Sequence, residues 1–413
     1  MSLLSGMRLD ARLQPELAAR LANQLYRRCR AIDKTHGPYL QMEGRNVLAF
    51  NSNDYLGLAQ HPEVIRALQS AAAELGVGST GAHLISGHRR EHVMLEEELA
   101  AHVRRPRALL FSTGYMANMG VINALTGPDD EIWEDALNHA SLLDGGWISR
   151  GQMRRYPHAD LTALDAALQA PSEGHRLVAT DAIFSMDGDV APLRDLVNVC
   201  TQRGADLMID DAHGLGVLGP DGAGTAVALG LSHQDVPIYM GTLGKALGTF
   251  GAFVAGSETL IEFLIQRART FIYTTATPPA LAAASRAALR LAQQESWRRE
   301  HLTALINRLR SGAAQLGVPL MNSDTPIQPL IVGDSTAALE LSQALWADGI
   351  LVTAIRPPTV PEGTARLRIT LSAAHSEEDI DHLLAALDQH LPQALRTPST
   401  ASRKIELAQS RHA

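Results

Sequence analysis

The stretch that decides the fold is RLVATDAIFSMDGDVAPLRDLVNVCTQRGADLMIDDAHG, residues 176–214. Its two ends, RLVATDAIFS and DLMIDDAHG, are apolar runs that predict buried strands, and PLRDLVNVCTQRG between them predicts a helix that stops at glycine. Strands joined through a helix run parallel in one sheet. The stretch therefore predicts one unit of an α/β sheet, with Asp210 at the carboxyl end of its second strand.

The same alternation of helix and strand continues on both sides of this unit. Before it come the helix patterns HPEVIRALQSAAAELG and EHVMLEEELAAHV and the strand pattern RALLFSTG, and after it come the strand patterns VPIYMGTLGK and GAFVAG. Alternation over about 200 residues predicts an α/β fold, a mainly parallel mixed sheet with helices on both faces. We assign residues 51–277 to this large domain.

The pattern changes on either side of the large domain. Residues 278–392 combine long alanine-rich helix patterns with the strand patterns PIQPLIVG and ARLRITLS, which predicts a smaller α+β C-terminal domain. Residues 1–50 are expected to form an N-terminal helical segment, with one amphipathic helix over 15–33. Residues 393–413 lack periodicity and are expected to be a disordered tail.

Composition excludes several classes of protein. The chain has 413 residues, 46% of them hydrophobic and 19% charged, with a formal net charge of −8 and no basic stripe, so nucleic acid is not an expected partner. Two cysteines, Cys29 and Cys200, cannot build a disulfide framework or a cysteine-rich metal site, and we expect no metal. Neither a signal peptide nor an apolar run of membrane-spanning length stands out, so we expect a cytoplasmic protein.

Three glycine-rich motifs are weak signals for nucleotide binding. GVGSTG (76–81) and GLGVLG (214–219) match G-x-G-x-x-G, but the first follows a helix and no helix opens on the second. GTLGKA (241–246) lacks the spacing and the Ser/Thr of a P-loop. A dehydrogenase of the Rossmann type remains an alternative with little support.

One lysine, Lys245, stands alone among glycines and apolar residues in YMGTLGKALGTFGAF (239–253). It could grip a phosphate, form an ion pair or act as a chemical handle, and the missing P-loop spacing disfavours the first use. Poor solvation should lower its pKa toward that of a reactive amine. Asp210 and His213 of the preceding strand end would converge on it at the carboxyl edge of the sheet. Lysine, carboxylate and imidazole together suit pyridoxal 5'-phosphate (PLP).

Three other segments offer candidate contacts, each with an ordinary structural alternative. FSTGYMANMG places Gly114 and Tyr115 where a helix N-terminus could bind phosphate, although any strand-to-helix turn has this form. His139 of NHASLLDG could stack on a ring or simply cap a helix. Ser185 of IFSMDGDVAPL is a candidate site residue, while Asp187 and Asp189 suit a turn.

Taken together, these segments resemble the α-oxoamine synthases, a family of PLP enzymes of fold type I. The resemblance covers residues 20–392 and rests on NSNDYLGL, GSTGAHLISG, FSTGYMAN, NHASLLDG, FSMDGDVAPL, IDDAHGLGVLG, TLGKALG, FIYTTATPP and ARLRITLSAAH. It departs from the family at His88, where relatives vary, and in the C-terminal tail. The family implies a PLP-dependent acyltransferase that works as a homodimer with shared active sites.

The resemblance also implies roles for individual residues. Lys245 would hold PLP and move the proton at the substrate Cα, Asp210 would pair with the ring nitrogen, His213 with the ring hydroxyl, and His139 would stack on the ring. The further implied PLP contacts are Gly114, Tyr115, Ser185, Thr242 and, toward the neighbouring subunit, Thr274 or Thr275. The implied substrate contacts are Arg27, Asn53, His139, Arg356, Thr359 and Arg368.

The activity that the resemblance implies is a decarboxylative condensation. The segments IQPLIVGD and GILVTAIRPPTVPEGTARLRITLSAAH favour L-alanine and a pimeloyl thioester of CoA or of a carrier protein, a reaction of biotin synthesis. Glycine and acetyl-CoA, as used by 2-amino-3-ketobutyrate CoA ligase, are the alternative pair. A non-catalytic relative is the alternative from another class, and the retention of Lys245, Asp210, His213 and His139 together disfavours it.

Overall fold

The computed structural model describes residues 3–23 and 25–396, with side chains from residue 8 onward. The strands are β1 (Lys34–His36), β2 (Tyr39–Met42), β3 (Arg45–Ala49), β4 (Arg107–Phe111), β5 (Glu131–Asp135), β6 (Gln152–Tyr156), β7 (Arg176–Asp181), β8 (Asp206–Asp210), β9 (Ile238–Thr242), β10 (Ala252–Gly256), β11 (Ile327–Gly333), β12 (Ile350–Leu351), β13 (Thr353–Ile355) and β14 (Ala365–Thr370). The helices are α1 (Leu3–Ala22), α2 (Pro62–Leu75), α3 (Arg90–His102), α4 (Gly114–Leu125), α5 (Ala140–Ile148), α6 (Leu161–Leu168), α7 (Leu193–Arg203), α8 (Thr225–Ala228), α9 (Glu258–Arg267), α10 (Arg269–Ile272), α11 (Pro279–Gln294), α12 (Trp297–Leu316), α13 (Ser335–Ala347) and α14 (Glu377–His390).

A seven-stranded sheet forms the centre of the molecule, in the order β4-β10-β9-β8-β7-β5-β6. Strands β9, β8, β7, β5 and β6 are parallel, and β10 is antiparallel to both of its neighbours, β4 and β9. Strand β4 therefore points the same way as the parallel strands, and their carboxyl ends share one edge. The predicted mainly parallel mixed sheet is confirmed.

Both faces of this sheet are buried, as the continuous apolar runs of its strands predict. Val178 and Ile209 pack into one apolar core, while their neighbours Leu177 and Met208 pack into a second core on the opposite face. Helices cover both faces, so polar groups are concentrated where the strands end. A ligand site is therefore expected at the carboxyl edge of the sheet.

Two smaller sheets lie outside the central one. Strands β11, β14 and β13 form an antiparallel sheet, and β1, β2, β3 and β12 form another in which β12 runs parallel to β3. The first of them belongs to the predicted C-terminal α+β region. The second joins the start of the chain to its C-terminal third. The domain boundaries themselves stay a prediction.

The predicted helix over residues 15–33 is wrong in its bounds, because α1 ends at Ala22 and residues 25–33 are not helical. Strands β1 and β2 within residues 1–50 were not expected from the sequence, whereas β3 coincides with the short strand predicted from NVLAF at residues 46–50. Arg30 bonds Glu43 with an Nε–Oε1 distance of 2.8 Å and stacks over the Trp346 ring at 4.0 Å. These tertiary contacts hold the arginine cluster in an extended segment.

At the other end of the chain, Gln393–Leu395 form a short 3-10 turn, and residues 397–413 of the expected tail lie outside the described residues. Among the helices that the structure describes, none combines the length and apolar character needed to cross a lipid bilayer.

Candidate active site

Lys245 lies in the loop that follows β9, between two buried anchors, Leu243 and Ala246. The loop closes tightly because the Gly248 amide donates to the Lys245 carbonyl at 2.8 Å. Gly248 has a φ of +64°, and a Cβ there would come within 2.3 Å of the Ala59 backbone nitrogen. Glycine is required at this position to bring two backbones together, and the lysine is thereby fixed over the sheet edge.

The Lys245 amine contacts His213, with an Nζ–Nε2 distance of 2.8 Å. His213 is buried, and its Nδ1 lies 2.6 Å from the hydroxyl of Tyr55, which in turn donates to Asn53 Oδ1 at 3.2 Å. Burial and the nearby Lys245 charge hold the pKa of His213 well below its usual range. His213 is therefore neutral, donating from Nδ1 to Tyr55 and accepting from Lys245 at Nε2.

Burial lowers the pKa of Lys245 to about 8, against the opposing effect of Asp210 and Asp181. The expectation of a depressed lysine pKa is confirmed. An amine with this pKa exchanges protons readily near neutral pH, which suits both covalent attachment and general base work.

Asp210 ends β8 and is buried. Its Oδ2 accepts from Asn118 Nδ2 at 2.7 Å, and its Oδ1 accepts from the Ala212 amide at 3.0 Å. Asn118 lies on α4, one turn beyond Gly114, and its Oδ1 is buried without a hydrogen-bond partner among the described atoms. Two neutral donors hold the carboxylate while leaving its negative charge available to a ligand.

Asp181 was missed by sequence reasoning. It ends β7 as the register partner of Asp210 and accepts the amide of His139 at 2.7 Å. Burial, followed by the neighbouring Asp210 charge, raises the pKa of Asp181 well above its usual range. The signal was available, because RLVATD ends a buried strand on aspartate just as DLMID does.

His139 caps helix α5, which confirms its ordinary structural role, and the residue stays exposed. Stacking on a cofactor ring stays a prediction. The Nδ1 of His139 accepts the Ser141 amide at 3.2 Å and lies 2.7 Å from Ser141 Oγ. Ser141 Oγ accepts from Asn118 Nδ2 at 2.9 Å. This chain runs from Asn118 through Ser141 to His139 and leaves the Nε2–H of His139 for a ligand.

Gly114 opens α4 with Thr113 as its cap, whose Oγ1 accepts the Met116 amide at 3.2 Å. Tyr115 is exposed, hydrogen-bonds Asp144, and meets the His139 ring edge-on at 6.4 Å between ring centroids. The free amides of this twelve-residue helix point to the same sheet edge as Asp210. They offer an anion site beside the charged groups.

Arg368 of β14 connects the small sheet to the site. It is buried, its Nε donates to the Ser185 carbonyl at 2.6 Å, and both of its terminal nitrogens lie within 3.3 Å of Asn53 Oδ1. A guanidinium has five N–H donors, which is more than the Ser185 carbonyl and Asn53 Oδ1 take up. The structure thus brings Asn53 together with Arg368.

Thr242 ends β9, and its side-chain hydroxyl donates to the Gly251 carbonyl at 3.1 Å.

Arg27, Arg356 and Thr359 line a separate cavity of about 330 Å³. Arg20 and Arg28 line it as well, so four arginines surround one space. Thr353, another lining residue, is the register partner of Arg368. The cavity therefore adjoins the strand that carries Arg368 and suits a carboxylate.

Thr274 and Thr275 are not brought to the Lys245 cluster by any contact seen in the described residues. Thr275 instead forms an isolated bridge with Ala82, and the Ala276 amide donates to the Gly81 carbonyl at 3.0 Å. His83, His88 and His92 lie close together beside this segment. His92 receives the Arg89 amide at Nδ1 and contacts the Thr277 carbonyl through Nε2, so both of its nitrogens are engaged within the protein.

The groups at the sheet edge form a set with a definite chemical use. Each group matches one part of PLP. The amine suits the aldehyde, the buried carboxylate suits the ring nitrogen, the exposed imidazole suits the ring face, and the helix N-terminus suits the phosphate. The residues present fit that cofactor. The fold and this edge define a PLP-type enzyme scaffold.

Comparison with known proteins agrees with the geometry. Residues 45–387 match the family model for aminotransferase class I and II, and the chain belongs to this family. The chain is 60% identical over 376 residues to an 8-amino-7-oxononanoate synthase of Nitrosococcus oceani, a match that covers 91% of this chain and 100% of the relative.

Two solved structures have the same fold. A variant of serine palmitoyltransferase from S. paucimobilis with a bound PLP–myriocin aldimine superposes with a TM-score of 0.88 at 29% identity, covering 96% of this chain and 99% of that one. The 8-amino-7-oxononanoate synthase of Francisella tularensis has a TM-score of 0.73 at 29% identity, covering 83% of this chain and 97% of that one. The predicted PLP-dependent fold type I is confirmed.

Proposed function

We propose that the protein is an 8-amino-7-oxononanoate synthase, a PLP-dependent acyltransferase of biotin synthesis. It condenses L-alanine with a pimeloyl thioester and releases CO2 together with CoA or the carrier protein. The arginine-lined cavity is the observation that favours a pimeloyl donor, because a pimeloyl chain ends in a carboxylate that Arg27 and Arg356 can bind. An acetyl donor has no such group, which disfavours the glycine and acetyl-CoA reaction.

PLP, when bound, supplies the electron sink for bond breaking at the amino acid Cα. Lys245 would hold the cofactor and then take and return the Cα proton. Asp210 would accept a hydrogen bond from the ring nitrogen, and the amides of Gly114 and Tyr115 would hold the phosphate. Ser185 and Thr242 would contact cofactor oxygens.

The remaining residues orient the reactants. His213, neutral and within reach of Lys245, would hold the ring hydroxyl and relay protons to and from the amine. The terminal N–H groups of Arg368, with Asn53 beside them, would clamp the alanine carboxylate. His139 would present its Nε2–H to the thioester oxygen, where negative charge develops during attack. Thr359 would help to orient the acyl chain.

We further propose a homodimer in which Thr274 or Thr275 reaches the phosphate held by the other subunit. Helix α1 supports this, since Leu9, Leu13, Leu17 and Leu21 recur every four residues with 40% to 58% of their surface exposed. Such a row favours burial against another copy of the chain. The cytoplasmic location expected from the sequence stays a prediction.

A steady-state assay with two substrate pairs tests the proposed function. With alanine and pimeloyl-CoA or a pimeloyl carrier protein, kcat/KM should exceed that with glycine and acetyl-CoA by about 100-fold or more, because only the former pair uses the arginine cavity. A preference for glycine and acetyl-CoA would instead favour the ligase reaction, and turnover of neither pair would contradict both.

A further inference from the structure

His158, which follows β6, lies between two carboxylates. Its Nδ1 is 2.9 Å from Asp135 Oδ1 and its Nε2 is 3.0 Å from Asp189 Oδ2, while its ring meets Phe184 edge-on at 4.4 Å. Both nitrogens need a proton to satisfy both carboxylates. The hydrogen bonds to Asp135 and Asp189 raise the pKa of His158 to about 10. The imidazole is therefore a cation at neutral pH.

The first carboxylate fixes the approach to His139. Asp135 ends β5 and is buried, and its oxygens also accept the amides of Leu137 and Ala159, each at 2.8 Å. The bond from Leu137 shapes the turn of residues 135–139, and the bond from Ala159 ties this turn to the segment that follows β6. The turn delivers His139 to the helix cap from which its ring faces the site.

The second carboxylate belongs to a turn that also carries Ser185, and backbone hydrogen bonds close this turn. The Phe184 amide donates to the Asp189 carbonyl at 3.0 Å, and the Gly188 amide to the Phe184 carbonyl at 2.8 Å. Arg368 donates to the Ser185 carbonyl at the start of this turn. The turn that ends at Asp189 therefore also carries the carbonyl that accepts from Arg368.

We propose that His158 is a positioning residue, an imidazolium clamp that fixes the His139 turn and the Ser185 turn relative to each other. This role rests on the proposed function, in which His139 acts on the thioester and Arg368 binds the alanine carboxylate. Without the cation, the buried Asp135 loses its counter-charge and both turns gain freedom.

The test compares His158→Gln with His175→Gln in the holoenzyme. His175 contacts Asp206 at 2.8 Å between Nε2 and Oδ2, but both residues lie at the amino ends of β7 and β8, away from the site. We expect His158→Gln to lower kcat by about 10- to 100-fold and to raise KM for alanine severalfold, because small misplacements are costly in catalysis. His175→Gln should stay within about twofold of the wild type.

A second readout separates positioning from a purely structural role. Visible circular dichroism of bound PLP reports the asymmetry of its surroundings and needs no turnover, so it tests the clamp even if the proposed substrates are wrong. His158→Gln should change this signal at full cofactor occupancy, and Asp189→Asn should change it in the same way, with the double variant no worse than His158→Gln. An unchanged signal with unchanged kcat and KM per bound cofactor would overturn the proposal, whatever happens to thermal stability.

Discussion

Asp181 and Asp210 are register partners at the carboxyl ends of β7 and β8, and both side chains are buried within the same site. Burial, followed by the neighbouring Asp210 charge, raises the pKa of Asp181 well above its usual range. Asp210 accepts hydrogen bonds from Asn118 and from the Ala212 amide. We therefore expect the pair to divide the work, with Asp181 as a neutral acceptor for the His139 amide and Asp210 as the charged partner of the proposed cofactor.

This division predicts that two substitutions of Asp181 lower kcat to different extents. Asp181→Asn keeps a neutral side chain that accepts the His139 amide, so kcat should stay within about threefold of the wild type, whereas Asp181→Ala removes the acceptor and should lower kcat by about 10- to 100-fold. Steady-state assays at full cofactor occupancy measure both. Equal losses in the two variants would show that Asp181 acts as a charge.

The depressed lysine pKa predicts the pH dependence of labelling in the cofactor-free protein. A lowered pKa means that Lys245 loses its proton earlier as pH rises, so its labelling by an amine reagent should be half-maximal at about pH 8. An ordinary lysine is neutral at pH 8 in only about 0.3% of molecules. The sequence has three lysines, and Lys34, which is exposed, is the internal control in peptide mapping. Parallel pH curves for Lys34 and Lys245 would contradict this assignment.

The arginine cavity predicts a selective loss of donor affinity. Arg27→Ala and Arg356→Ala should each raise KM for pimeloyl-CoA by about tenfold or more, because each removes a charge-assisted hydrogen bond, and should leave KM for alanine unchanged. Pimeloyl-CoA methylated on its distal carboxylate is the matched control. The wild type should bind it as poorly as the variants do, and the variants should lose nothing further. A variant that still discriminates fully between the two donors would place the carboxylate elsewhere.

Shared sites predict that two inactive proteins restore activity when mixed. In a hybrid of Lys245→Ala with the double variant Thr274→Ala and Thr275→Ala, one site of the two is intact if the threonines act across the dimer. Random subunit exchange should therefore recover about a quarter of wild-type activity. Co-expressed, differently tagged chains give the hybrid, and each variant alone is the baseline. Activity no higher than the sum of the two baselines would place the threonines in their own subunit's site.

The sequence predicted those features that depend on local pattern. The alternation of helices and strands predicted the central sheet. The strand-end position of Asp210 and the isolated Lys245 predicted the centre of the candidate site. The bounds of α1 were wrong because Arg30 is held by Glu43 and Trp346, contacts that no local pattern contains. Tertiary contacts overrode helix periodicity there.

Contacts between residues far apart in the chain are not visible in any local pattern, and Asn53 and Arg368 were predicted only through the family resemblance. Tyr55 contacts His213 across 158 positions of the chain, and Arg368 contacts Asn53 across 315. His158 likewise contacts both Asp135 and Asp189 only because β5 and β7 lie side by side. Asp181 differs from these, because the rule that selected Asp210 applies to it unchanged.

The most direct test of the central claim is the fate of the alanine carboxylate. Purified protein with PLP, pimeloyl-CoA and alanine labelled with ¹³C at C1 should release one labelled CO2 for each 8-amino-7-oxononanoate formed, and the product should carry no label. Lys245→Ala, assayed in parallel by mass spectrometry, should form neither. A product that retains the label, or the absence of any condensation product from the wild type, would contradict the account.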